Sequence, residues 1–211
     1  MTFSIVARDP STAALGVATA TGGPAVGSLV PHVRARIGAI ATQSWTNPYL
    51  AYDGLDLLAG ADASSVLDRV LAADAGRDRR QLIIADASGL SAAWTGPDCT
   101  GHAQAIALPD VAVAGNMLSG PAVLPAMLEA FRGAGGFADR LAAALRAGHD
   151  AGGDARGIRS AALKICGTED YPLVDLRVDW SDAPLDELMI ALKATRETDY
   201  ARFFADLPRR F

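Results

Sequence analysis

Short alternations of apolar and polar residues, arriving in adjacent pairs, constrain this chain more than any other feature. Thr2 to Arg8 (TFSIVAR) alternates after Phe3, Asp9-Pro10-Ser11-Thr12 supplies turn chemistry, and Leu15 to Thr21 (LGVATAT) continues with small and β-branched residues. That is the pattern of a β-hairpin. Gly22-Gly23-Pro24 breaks it, and a loop is expected past Pro31 to a third strand over Arg36 to Gln43. Gln81 to Asp86 and Leu90 to Thr95, around the turn Ala87-Ser88-Gly89, predict a second hairpin. Strands are also predicted at Ala103 to Leu108 and at Val111 to Ala114, where Gly115-Asn116 ends the run. Two more follow at Ala161 to Cys166 and Val174 to Trp180.

Between these groups the period lengthens to three and four residues. A short helix is expected from Pro48 to Gly60, then one over Ala63 to Ala73 with Asp62 as its cap. Pro121 to Phe131 and Phe137 to Ala147 predict a second pair, split by Gly133, Gly135 and Gly136. Leu185 to Ala194 and Thr198 to Asp206 predict two closing helices. Hairpins with helices inserted in pairs do not make a doubly wound parallel sheet, which alternates strand and helix singly. Two antiparallel sheets face to face, with helices on both outer sides, would bury this many half-apolar strands. The expected class is therefore α+β, a four-layer αββα sandwich; periodicity permits it without requiring it. No linker or composition shift divides the 211 residues, so one domain over 1–211 is expected, with a helical extension over 183–211.

Composition excludes several function classes. Half the residues are hydrophobic and 20% charged, which suits a globular core that needs no disulfide or metal staple. Twenty-four acidic against nineteen basic residues leave a formal charge of −5, with no basic surplus for a nucleic-acid backbone. Cys99 and Cys166 form no Cys-x-x-Cys pair, and His32, His102 and His149 form no metal-ligand spacing, so neither a metal nor another cofactor is expected. Gly22-Gly23-Pro24 and Gly133-Ala134-Gly135-Gly136 match neither phosphate-binding glycine motif. No apolar run approaches the ~20 residues of a membrane span, and Asp9-Pro10 follows the start without a basic, apolar leader. The expectation is a cytoplasmic protein acting on a small molecule, with no nucleic-acid or membrane partner.

Few residues are placed to carry chemistry. Thr2 can serve as an N-terminal nucleophile if its α-amine is free. Such an amine titrates near ~7.7–8.0 and can take the hydroxyl proton without a histidine. Its plain alternative is the first residue of an edge strand. Asn116, at the expected strand end, offers an amide donor of the kind that stabilises an oxyanion, or else a turn residue. Gln43 and Asn47, at the end of the third strand, line a polar pocket or satisfy a turn. Asp154 and Arg156 either orient a carboxylate or amide substrate through the forked guanidinium or fix their own loop. Cys99, three residues before His102, is a second candidate nucleophile, with an inert free cysteine as the alternative.

These motifs coincide with one family. Thr2 to Pro10, Leu15-Gly16-Val17-Ala18, Ala25-Val26-Gly27 through Val30-Pro31 and Ala41-Thr42-Gln43 resemble the opening of the DUF1028 family. Arg80-Gln81-Leu82, Thr95-Gly96 with Cys99, and Gly115-Asn116-Met117-Leu118 continue the likeness. Gly152-Gly153-Asp154, Arg156-Gly157, Ser160 to Leu163 and Val174 to Val178 complete it, so that it spans roughly Thr2 to Asp179. The resemblance implies the fold of the N-terminal nucleophile (Ntn) hydrolases. It further implies hydrolysis of an amide, peptide-like or ureido C–N bond, with Thr2 as nucleophile and base and Asn116 as the leading oxyanion donor; the site expected on these grounds adds Gln43 to the catalytic set and places Asn47, Asp154 and Arg156 around the substrate. A non-catalytic ligand-binding or assembly protein that keeps the fold is the alternative. Proteins of this fold often pair, which makes a homodimer an expectation with no residue behind it.

Overall fold

The first hairpin forms as its alternation requires. In the computed structural model, which describes residues 2–210, β1 (Thr2–Arg8) pairs antiparallel with β2 (Leu15–Thr21), Thr2 opposite Thr21. The chain continues through β3 (Pro31–Arg34), β4 (Gly38–Ser44), α1 (Tyr49–Leu57), α2 (Ala63–Ala73), β5 (Arg80–Asp86) and β6 (Ser91–Thr95). It then runs through β7 (His102–Leu108), β8 (Val111–Leu118), α3 (Val123–Phe131), α4 (Phe137–Asp150), β9 (Ser160–Cys166), β10 (Pro172–Val178), α5 (Pro184–Ala194) and α6 (Thr198–Ala205). The Asp62 carboxylate caps α2 by accepting the Ser65 N–H at 3.0 Å.

Two antiparallel sheets result, one in the order β10-β9-β2-β1-β8-β7 and one in the order β3-β4-β5-β6. Phe3, Ile5, Ala18, Val113 and Leu163 face outward from the larger sheet onto Leu124, Met127, Leu141, Leu145 and Leu188 of α3, α4 and α5. Ile40, Leu82 and Ile84 of the smaller sheet face Leu50, Leu55, Val66 and Val70 of α1 and α2. The opposite faces meet: Val6, Leu15 and Val17 pack on Ala39, Ala41, Ile83 and Ala85. The order of layers is therefore helix, sheet, sheet, helix, as the strand and helix pairing anticipated.

Two elements depart from expectation. Residues 31–34, expected as loop, form β3, a four-residue edge strand with Pro31 opposite Ala41. An edge position leaves the missing proline N–H without consequence, so the usual strand-breaking signal is silent. β8 runs to Leu118 instead of stopping at Ala114, because β1 pairs with it as far as Thr2 opposite Asn116. Long-range pairing overrides the weak strand propensity of Gly115-Asn116.

Candidate functional site

Along β1 the residues facing the other sheet change from Val6 to Ser4 to Thr2. The apolar filling of the gap between the sheets thereby gives way to polar side chains at one end. Thr19 and Thr21 do the same on β2, Gln43 on β4, Gln81 on β5 and Asn116 on β8, and all are buried. Burial of so many polar groups is tolerable only if they satisfy one another, and they do. Gln43 Nε2 donates to the Thr2 carbonyl at 3.2 Å and to Gln81 Oε1 at 2.9 Å. Ser4 Oγ donates to Gln43 Oε1 at 2.6 Å and lies 2.8 Å from Thr19 Oγ1. Gln81 Nε2 shares its two hydrogens among the Gly115 carbonyl at 2.8 Å, Thr95 Oγ1 at 3.0 Å and the Gln104 carbonyl at 3.2 Å. Asn116 Nδ2 donates to Gln81 Oε1 at 2.9 Å, and Thr2 Oγ1 lies 3.3 Å from Thr21 Oγ1.

Counting donors separates the three amides. Both Nε2 hydrogens of Gln43 and both of Gln81 are engaged, so neither residue has one to give. Among the described residues Asn116 gives one hydrogen to Gln81 and has no acceptor for the other. It sits directly across from Thr2 on the neighbouring strand.

The backbone at this end also departs from regular strand geometry. Ala13, Arg36 and Asp110 take positive φ in hairpin turns, where left-handed residues are ordinary. Ser44 (φ 72°), immediately after Gln43, and Met117 (φ 49°), immediately after Asn116, do so at strand ends instead. At Met117 the β7–β8 register shifts, with His102 opposite Leu118 but Gln104 opposite Gly115, which is a bulge carrying one extra residue on β8. Bulges re-aim side chains, and strained backbone of this kind collects at functional sites.

Asp154 ties the two strands that flank Thr2. Its Oδ2 accepts the Gly22 N–H at 2.8 Å just beyond β2, and its backbone bridges Leu118 at the end of β8. A side chain at Gly22 would come within 2.7 Å of the Gly157 carbonyl, so only glycine admits this approach. Arg156 Nη2 stands 3.3 Å from the wholly buried Asp154 carboxylate, while its own side chain is half exposed. It lines a surface cavity with Arg146, His149 and Arg159.

Two candidates lie apart from the cluster. Asn47 Oδ1 accepts the Tyr49 N–H at 3.2 Å and its side chain also reaches Asp74, so its amide serves the turn before α1. Cys99 Sγ donates to the Arg80 carbonyl at 3.4 Å, while His102 is exposed on β7. Residue type and position alone do not mark Ser4, Thr19, Thr21 and Gln81 as members of the site. Their signal was present as hydroxyls at alternate positions on an otherwise apolar face, and as a glutamine opening an apolar strand. Met1 lies outside the described residues. Among the described residues no cluster of ligand side chains is arranged for a metal ion, and no helix is long and apolar enough to cross a membrane.

Comparison with known proteins places this two-sheet α+β architecture in a family. Residues 2–188 match the model of a family of unknown function, DUF1028, and the chain belongs to that family. A DUF1028 protein from Silicibacter pomeroyi of known crystal structure superposes with a TM-score of 0.92 at 34% identity, over 98% of this chain and 91% of that one. Anbu, the ancestral β-subunit from Yersinia bercovieri, superposes over 99% of each chain with a TM-score of 0.43 and 13% identity, too loose a likeness to assign a fold. No match was found among curated proteins.

Proposed function

We propose that the protein is an amidohydrolase of the Ntn type, in which Thr2, with its α-amine freed, cleaves an amide, peptide-like or ureido C–N bond of a small substrate. The observation that carries this reading is the placement of Thr2 opposite Asn116, whose amide has one hydrogen uncommitted. The free α-amine takes the Thr2 Oγ–H proton as Oγ attacks the substrate carbonyl carbon. The Asn116 Nδ2 hydrogen not given to Gln81 stabilises the oxyanion. Collapse of the tetrahedral species breaks the C–N bond, the leaving nitrogen takes the proton from the ammonium, and an ester on Thr2 remains. Water, deprotonated by the same amine, hydrolyses that ester and restores the hydroxyl.

Gln43 acts here as a positioning residue, since it holds the Thr2 carbonyl and has no donor left for substrate. Asp154 likewise holds the strand ends, and the half-exposed Arg156 is the member of that pair able to meet a substrate carboxylate or carbonyl. Nothing in this scheme draws on Asn47. The test is a panel of amides and ureides assayed with the purified chain, with intact-mass measurement of its N-terminus. Active protein should begin at Thr2, Thr2→Ala should lose at least about a thousandfold in kcat with unchanged urea unfolding, and Thr2→Ser should keep part of the activity. Equal turnover by Thr2→Ala, or full activity in a chain that retains a residue before Thr2, would overturn the mechanism. Either outcome would favour a different nucleophile on the same fold, and no turnover on any substrate of the panel would favour a non-catalytic binding protein.

A further inference from the structure

At the far end of the first hairpin, about 20 Å along β1 from Thr2, a cavity of about 600 Å³ opens between the Asp9–Ala14 turn and the start of α4. That volume falls in the range of small-molecule sites, which combine apolar walls with a few convergent polar groups. Its walls include Phe137, Ile165, Leu173 and Val174, and its polar end holds Asp9 and Arg140.

Arg140 is the unusual member. Its guanidinium lies over the rings of Phe131 and Phe137, at 5.1 and 5.6 Å, with only a fifth of the side chain exposed. Asp9 Oδ1 is 3.4 Å from Nη2, an ion pair without hydrogen-bond geometry, and Nε is buried without a partner among the described residues. A guanidinium carries five N–H donors, and among the described residues this one is fixed in place with no hydrogen bond to a protein acceptor. Asp9 has no need of it, since its carboxylate accepts Ser11 N–H at 3.1 Å, Ser11 Oγ at 2.8 Å and Thr12 Oγ1 at 3.1 Å. Burial pushes the Asp9 pKa up, but these bonds and the Arg140 charge outweigh it and hold it below the ordinary carboxylate value. Beside Arg140 the cap residue of the fourteen-residue α4 is Gly136, which supplies no side-chain acceptor to the first-turn N–H groups.

A donor-rich end with unfilled capacity and an apolar body call for a ligand with an acceptor-only head and a hydrocarbon tail. We infer that this cavity is a binding site for a medium-chain carboxylate, separate from the Thr2 cluster and independent of whether that cluster is catalytic. The head would take the free Arg140 N–H groups and the tail would lie against Phe137, Ile165 and Leu173.

Calorimetric titration of the full chain with octanoate and with octan-1-ol, which shares the tail but not the head, tests the inference. Octanoate should bind one per chain, saturably and at least tenfold more tightly than the alcohol. Arg140→Met should weaken octanoate at least tenfold and leave the alcohol unchanged, because a charge-assisted hydrogen bond is worth roughly one to two decades of affinity. Should that variant fail to fold, Leu173→Glu at the exposed wall should weaken octanoate and the alcohol alike by a similar factor, because it puts a charge where the shared tail lies. Absence of saturable binding, equal affinity for acid and alcohol, or octanoate affinity indifferent to both substitutions would overturn it.

Discussion

Replacing Gln81 with methionine keeps the length and most of the volume of the side chain but removes every polar atom at the centre of the inter-sheet network. Gln81 is fully buried, as is Gln43, and Asn116 is 2% exposed. Without Gln81 Oε1, one hydrogen of Gln43 and one of Asn116 lose their acceptor; without Nε2, the Gly115 carbonyl loses a donor at 2.8 Å. Each buried group left unsatisfied costs about 1–3 kcal/mol. Three of them, with part recovered by water entry and local repacking, give a loss of about 3–6 kcal/mol. Against a typical domain stability of about 5–15 kcal/mol this is large. Urea unfolding followed by circular dichroism should show the midpoint fall by about 1–2 M at unchanged slope, taking a slope near about 3 kcal/mol/M. Asn116→Leu, which leaves Gln81 Oε1 still bonded to Gln43, should cost less, and the double variant should fall short of additivity by about 1 kcal/mol because the two residues share a bond. A Gln81→Met loss under about 1 kcal/mol, or strict additivity with Asn116→Leu, would refute the claim that this glutamine ties the sheets together.

Two further outcomes follow from groups outside the network. Burial, joined by the Lys164 charge, lowers the His32 pKa below its usual value despite the Val30 carbonyl at 3.2 Å. The unfolded chain thus binds the proton more readily, stability is fully present above about pH 6.5, and it declines as pH falls from there through the folded-state value; His32→Gln should flatten that part of a pH–stability curve, and an identical slope in the variant would exclude His32 as its source. Burial raises the Cys166 thiol pKa, with Lys164 opposing and Asp175 adding to the rise, and the residue is 3% exposed, whereas Cys99 is partly exposed. A charged disulfide reagent should therefore label Cys99 at least about tenfold faster than Cys166 by peptide mass mapping, and the reverse order would contradict the burial assigned to the two thiols.

The local pattern carried the layers well because turn residues bound the strands into adjacent pairs, even though β1 and β2 are buried on both faces and clear alternation of burial is left to an outer strand such as β10. It failed where pairing is long-range. Residues 31–34 become a strand only because β4 is present to pair with them, and a four-residue edge led by proline gives no local signal. Gly115-Asn116 carries a local signal to stop, which the pairing of Thr2 with Asn116 overrules.

The same division runs through the candidate site. Thr2, Gln43 and Asn116 could be suspected individually from residue type and position, yet their separate capacities depend on Gln81, which meets Gln43 from the next strand and Asn116 from the other sheet. Only when both glutamines are seen to have spent their donors does Asn116 emerge as the amide free to act. Its place opposite Thr2 comes from a β1–β8 register that stays regular to the end of β1, while on its other side β8 slips one residue against β7. An extra residue in one strand is invisible to a two-residue period except as its failure, and at Gly115-Asn116-Met117 that failure resembled a strand end. The point where local reasoning broke down is therefore the point where β8 slips against β7 while still pairing with β1 opposite Thr2.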